Sequence, residues 1–191
     1  MPRLSANDWV LAAERTLAQQ GVDAVRVETL ARELGVSKGS FYWHFKDREA
    51  LLTALQEDWE ARATSEIIAQ VDALSQPAAE RLRFLIERVF STPPPHQLLE
   101  TAMRAWGTVD RQVGARVQRI DQRRMDYVAK LLKASGLPKR EAAHRSRILY
   151  AALVGEFVMC CHGSPALEPE ALKSLYALLV QPPAESAKRR R

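Results

Sequence analysis

A chain of 191 residues, 47% of them hydrophobic, can bury one large core or a small and a larger one, and lies far from a disordered composition. No apolar run approaches the ~20 residues of a membrane span, Met1-Pro2-Arg3-Leu4 opens a polar segment rather than a signal-peptide core, and the adjacent pair Cys160-Cys161 cannot build a disulfide framework. The expected setting is soluble, cytoplasmic and reducing. The net charge of +5 says little about nucleic acid: residues 1–50 carry seven Lys/Arg against seven Asp/Glu, and Lys188-Arg189-Arg190-Arg191 alone supply four positive charges.

In chain order, a first helix is expected after Ser5 or Asn7 as cap, running to Gln20 and stopped by Gly21, with Trp9, Val10, Ala13 and Leu17 turned inward. A second follows Arg26, a poor cap residue that either meets a phosphate or faces solvent, and carries Leu30, Ala31 and Leu34 at helical spacing up to Gly35. Val36-Ser37 then opens a short third helix, in which Phe41 and Phe45 form a buried pair four residues apart. A helix, a tight glycine turn and a second helix make a helix-turn-helix pattern, though an ordinary helical hairpin with Gly35 as a C-cap fits the same spacing. Between Val36 and Arg48 stand three basic residues, one histidine and one acid, the local balance a phosphate-contacting surface needs.

Asp47 is placed to cap a long fourth helix through Leu51, Leu52, Leu55 and Trp59 towards Val71. A fifth covers residues 78–90, ended by Pro93-Pro94-Pro95. A short sixth covers residues 98–106 and stops at Gly107. The seventh runs through Val113, Val117, Ile120, Val128, Leu131 and Leu132 to Gly136, with Arg116, Arg119, Arg123 and Arg124 on its other side. Residues 141–161 and 168–180 give the eighth and ninth. No strand and no repeat is visible, so the fold class is all-α, with about nine helices.

Leu30-Ala31, Gly35-Val36-Ser37-Lys38-Gly39-Ser40 and the run from Phe41 to Leu51 resemble the N-terminal DNA-binding domain of the TetR family of bacterial transcriptional regulators. The resemblance covers roughly the first fifty residues. It implies a three-helix DNA-binding domain over 1–50 and a larger helical effector-binding and dimerisation domain over 51–183; the charge run at the end of the sequence is expected to be a basic, flexible tail over 184–191. It further implies that Lys38, Gly39, Ser40, Tyr42, Trp43 and His44 face the DNA groove, Tyr42 and His44 more on phosphates, and that Lys46 and Arg48 clamp the backbone. The implied partners are a double-stranded palindromic operator, a second copy of the chain held through the last two helices, and a small-molecule effector that releases the repressor from DNA. Phe84, Phe90, Met103, Trp106 and Tyr127 are the candidate lining residues for that effector, with His96, Arg104 and Arg124 as polar partners.

Blander readings stand beside these. The last two helices could simply close a monomer core, and the arginines of the seventh helix could be a solvated face rather than a site for an anionic ligand. Met159-Cys160-Cys161-His162 has the residue types of a soft-metal or redox site, but small buried cysteines also fill space at helix ends. No phosphate loop, His-Glu-x-x-His or nucleophile elbow is present, and His44, His96, His144 and His162 are scattered. The chain is therefore read as a regulator, with no enzyme activity and no cofactor. The alternatives are a DNA-binding dimer controlled by a protein partner or by its abundance and, more distantly, a helical enzyme or scaffold.

Overall fold

The computed structural model describes residues 4–182; the expected basic tail lies outside them. Every regular element among these residues is helical, and none is long and apolar enough to cross a membrane. In order they are α1 (Ala6–Gln20), a 3-10 turn (Val22–Ala24), α2 (Val27–Glu33), α3 (Lys38–Tyr42), α4 (Arg48–Glu60), a π turn (Ala61–Ser65), α5 (Glu66–Asp72), α6 (Ala78–Phe90), α7 (Pro94–Val109), α8 (Arg111–Ala134), α9 (Lys139–Cys161) and α10 (Pro169–Val180). The backbone stays helical across the junctions flanking the π turn, so α4 and α5 form one interrupted helix. The described chain thus has the nine helices expected.

Local chemistry explains most boundaries. Ser5, not Asn7, caps α1: its Oγ accepts the Asp8 amide, and the Asp8 carboxylate accepts the Ser5 amide at 2.7 Å, a complete capping box. Asp47 Oδ1 accepts the Ala50 amide at 2.7 Å at the start of α4. The α2–α3 turn closes by a Schellman pair, Val36 N–H to Ala31 C=O at 2.9 Å and Gly35 N–H to Arg32 C=O at 3.2 Å. That pair requires Gly35 at φ +69°, a left-handed conformation glycine adopts without strain.

Two expectations about helix ends are corrected. The prolines after α6 do not only end a helix: Pro94 and Pro95 occupy the first two positions of α7, where a missing N–H costs nothing because that donor has no intrahelical partner. Nor does Gly107 stop this helix, which continues to Val109. A Cβ on Gly114 of α8 would sit 2.5 Å from the Gly107 carbonyl oxygen, so glycine there serves a close approach of two backbones.

The chain divides into two compact units: residues up to Ile67 with Pro93–Ile120, and Ile68–Thr92 with the residues from Asp121 on. In the first, Trp9, Val10, Ala13 and Leu17 of α1 join Leu30, Ala31, Phe41, Phe45, Leu51, Leu52 and Leu55 in one buried cluster. The same cluster continues through Trp59 to Leu99, Met103 and Trp106 of α7 and Val113, Val117 and Ile120 of α8. The Trp59 indole N–H donates to Glu100 Oε1 at 3.1 Å across this core. Because α1 packs against both α4 and α7, the unit that holds the helix-turn-helix extends well beyond residue 50.

In the second unit, Leu82, Leu85, Ile86 and Phe90 of α6 are buried, as are Val128, Leu131 and Leu132 of α8, Leu149, Leu153 and Phe157 of α9, and Leu172 and Leu179 of α10. Partly buried hydroxyls bridge its helices: Tyr127 donates to Asp72 at 2.8 Å, Tyr150 to Asp121 at 2.6 Å and Tyr176 to the Ala79 carbonyl at 3.1 Å. Burial, with the Asp72 bond, pushes the Tyr127 hydroxyl up to about 12, so it stays a neutral donor. Arg145 donates to the Leu179 carbonyl at 2.8 Å, satisfying a free end of α10 with a cation where the helix dipole favours one.

Candidate nucleic-acid interface

The short helix α3 has one purpose for its inner face and another for its outer. Phe41, fully buried, meets the Trp9 ring edge-on at 5.2 Å and lies 5.6 Å from Phe45. Residues at the intervening positions must then point away from the core. Lys38, Gly39 and Lys46 are exposed, Tyr42 is 61% exposed and Trp43 81%, while Ser40, His44 and Arg48 are half-buried. From Lys38 to Lys46 the residues expected at DNA are thus exposed or half-exposed along α3 and the turn that follows it. Exposed aromatic rings mixed with hydroxyl, imidazole and ammonium groups offer donors for phosphate and base edges and flat apolar area for sugars and methyls.

Its charges are not all free. Lys38 Nζ lies 2.6 Å from Glu28 Oε1 on α2, and that hydrogen bond holds the Glu28 carboxyl below its usual range. Lys46 is 3.9 Å from Asp47. Arg48 turns inward: Nε donates to the Val25 carbonyl at 2.6 Å and Nη2 to the Val22 carbonyl at 2.7 Å, while Nη1 reaches Glu49 at 3.2 Å. It fastens the loop before α2 to the start of α4. Arg26 likewise turns to its own loop, donating from Nε to the Asp23 carbonyl at 2.9 Å, and makes no side-chain cap.

The residues expected around an effector fall in different units. Met103 and Trp106 lie in the core of the first, with His96 and Arg104 on the same helix. Phe84, Phe90 and Tyr127 belong to the second, as does Arg124, whose Nη1 donates to the Tyr150 hydroxyl at 3.2 Å. Cys160 and Cys161 are half-buried thiols. Burial, and then the Glu156 carboxylate 3.6 Å away, raises the Cys160 thiol and opposes thiolate chemistry.

One charged group escaped sequence reasoning. Glu14 of α1 has a side chain only 8% exposed, ion-paired to Arg62 of the π turn, whose guanidinium also holds Asp58 at 2.5 Å. Burial pushes Glu14 up to about 7 despite that partner. The available signal was an acid between Ala13 and Leu17 on an inward stripe; nothing local announces a partner 48 residues away.

Residues 10–55 match the family model described as bacterial regulatory proteins, tetR family. The chain is 42% identical over 57 residues to the tetracycline repressor protein class A of Escherichia coli, covering 30% of this chain and 26% of that repressor. The first curated relatives are matched over 26% to 33% of their own length. Two solved structures share the fold along almost the whole chain. A TetR-like transcriptional regulator from Rhodococcus sp. RHA1 gives a TM-score of 0.74 at 19% identity, covering 94% of this chain and 96% of that one. The transcriptional regulator FadR of Bacillus subtilis, in complex with stearoyl-CoA, gives 0.69 at 18% identity, covering 92% and 98%. Residues 10–55, where the helix-turn-helix lies, thus match the DNA-binding region of tetR-family bacterial regulatory proteins, and the fold of the described chain matches TetR-like structures over nearly all its length.

Proposed function

We propose that the protein is a transcriptional repressor that binds a palindromic DNA operator as a homodimer and leaves it when a small molecule binds the C-terminal helices. The observation that carries this reading is the outer surface of α3, where Tyr42 and Trp43 stand in solvent among Lys38, Ser40, His44 and Lys46, backed by the buried Phe41–Phe45 pair. In this reading Lys38, Gly39, Ser40, Tyr42, Trp43 and His44 meet the groove and its phosphates, Lys46 meets the backbone, and Arg48 braces the surface from behind.

A dimer is supported by the surfaces of α9 and α10. Ile148, Val158 and Met159 are exposed at helical spacing with Ala151 and Gly155 between them, and Leu178 of α10 is 64% exposed. Apolar area of this kind calls for a partner, and a two-fold operator calls for a two-fold protein. An effector is supported by the FadR neighbour, whose structure holds stearoyl-CoA, with Phe84, Phe90 and Tyr127 as the contacts we favour in the second unit. Its binding can shift the DNA-competent state only by its differential affinity, about 1 to 3 kcal/mol in typical couplings.

The test is selection of bound fragments from source DNA, followed by titration against salt. Recovery of a palindrome bound far more tightly than random DNA is the expected result; weak binding that vanishes with modest salt would remove specific recognition. A metabolite panel that nowhere raises thermal stability would favour control by a protein partner or by abundance instead.

A further inference from the structure

The buried acid Glu14 is not among the residues expected at DNA or around the effector. Its carboxyl group and Asp58 Oδ2 are held by the same Arg62 nitrogen, Nη2, while Arg62 Nε donates to Asp58 Oδ2 at 2.6 Å. The two acids thus meet on one cation, and they hydrogen-bond to each other. Two carboxyl groups can do so only when one of them carries a proton. With that proton the cluster holds one negative and one positive charge. Without it, two carboxylates share one guanidinium, and an uncompensated negative charge lies beside the core.

The cluster joins separate pieces of the first unit. Glu14 comes from α1, Asp58 from α4 and Arg62 from the π turn. Because Trp9 of the same α1 packs on Phe41 of α3, the cluster ties the helix that supports α3 to the π turn. Such turns interrupt a helix mostly where a side chain has work to do. A half-open hollow of about 250 Å³, lined by both Glu14 and Arg62, gives water a route to the acid pair. Arg15 and His96 line the same hollow. Nearby on α2, Glu33 holds Arg15 at 2.7 Å, and on α7 Glu100 and Arg104 pair with each other at 3.7 Å.

We infer that Glu14, Asp58 and Arg62 form a proton-operated latch between α1 and the π turn, closed while the acid pair keeps its proton and loosened when the proton leaves. Burial pushes the Glu14 carboxyl from 4.5 up to about 7, against the opposing pull of Arg62. A carboxyl raised on folding binds its proton more tightly in the folded chain. The stability it contributes is therefore complete below about 4.5 and is lost as pH rises through about 7. An ordinary ion pair of Glu14 with Arg62 would behave in the opposite sense, gaining stability as the acid ionises. None of this depends on the regulator reading, since stability is measured without DNA.

The test is denaturant unfolding of the full chain at pH 6 and pH 8, followed by tryptophan fluorescence, because all four tryptophans lie in the first unit. Between the two pH values the unfolding constant of the wild type should rise about tenfold more than that of Glu14→Gln. Glutamine carries a permanent N–H where the proton sits, so this variant keeps the latch closed at both pH values. Asp58→Asn, which removes the second acid, should also reduce the pH dependence, and it serves if Glu14→Gln does not fold. The same pH dependence in the wild type and the variants would overturn the inference. So would a Glu14→Gln chain that is weaker than the wild type and more so at pH 8, the mark of an ordinary ion pair.

Discussion

Both α3 and α9 leave large apolar side chains in water, yet they are built for different neighbours. On α3 and in the turn just after it the exposed rings of Tyr42 and Trp43 are interleaved with Lys38, Ser40, His44 and Lys46. On α9 the exposed Ile148, Val158 and Met159 are separated by Ala151 and Gly155. The first surface suits a charged, hydrogen-bonding duplex, because every apolar group has a polar neighbour able to reach a phosphate. The second suits another apolar surface, because small residues permit close approach and no charge interrupts the stripe. Exposed hydrophobic area is thus informative only together with the residues between.

Substitutions that separate the two surfaces give the largest effects. Ile148→Glu places a charge in the stripe and should weaken self-association by at least a hundredfold, about 3 kcal/mol, in sedimentation experiments; a variant that still sediments as a dimer would break the contrast. Tyr42→Ala should leave sedimentation unchanged while specific operator affinity falls by about 1–3 kcal/mol in fluorescence-anisotropy titrations, and Lys46→Ala should lower affinity for all sequences and flatten the salt slope. Arg48→Ala strips two backbone carbonyls of their donor and should cost about 2 kcal/mol in denaturant unfolding. A loss of DNA affinity with unchanged stability would instead return Arg48 to the phosphate-contacting surface. The smallest change is a gain: Glu28→Gln releases Lys38 from its ion pair and should tighten DNA binding a few-fold, under about 1 kcal/mol at low salt.

How far these features were legible depended on the distance over which their causes act. The capping box of Ser5 and Asp8, the Asp47 cap and the Gly35 turn are settled within about five residues; local pattern located the last two and offered Ser5 beside Asn7 for the first, without the Asp8 half of the box. The buried pair Phe41 and Phe45 was equally plain. Gly107 read as a stop because glycine usually is one; its cause is the α8 backbone at Gly114, which no local pattern contains. The prolines before α7 follow a rule that cuts both ways, since proline ends one helix and begins the next. Least legible were the inward turn of Arg48 and the Glu14–Arg62 pair, which join groups 23 to 48 residues apart. For such pairs the sequence supplies only a charged residue in an unexpected place.

The chain holds four tryptophans, and their burial is sharply divided: Trp9, Trp59 and Trp106 are at most 7% exposed, whereas Trp43, at the C-terminal cap of α3, is 81% exposed. One fluorophore therefore stands in water on the proposed recognition surface while three report on the core of the first unit. A soluble quencher should reach Trp43 first, and DNA seated on α3 should shield it, so the unlabelled protein carries its own optical gauge of operator occupancy. Unfolding would expose the other three and give a separate signal from the same spectrum.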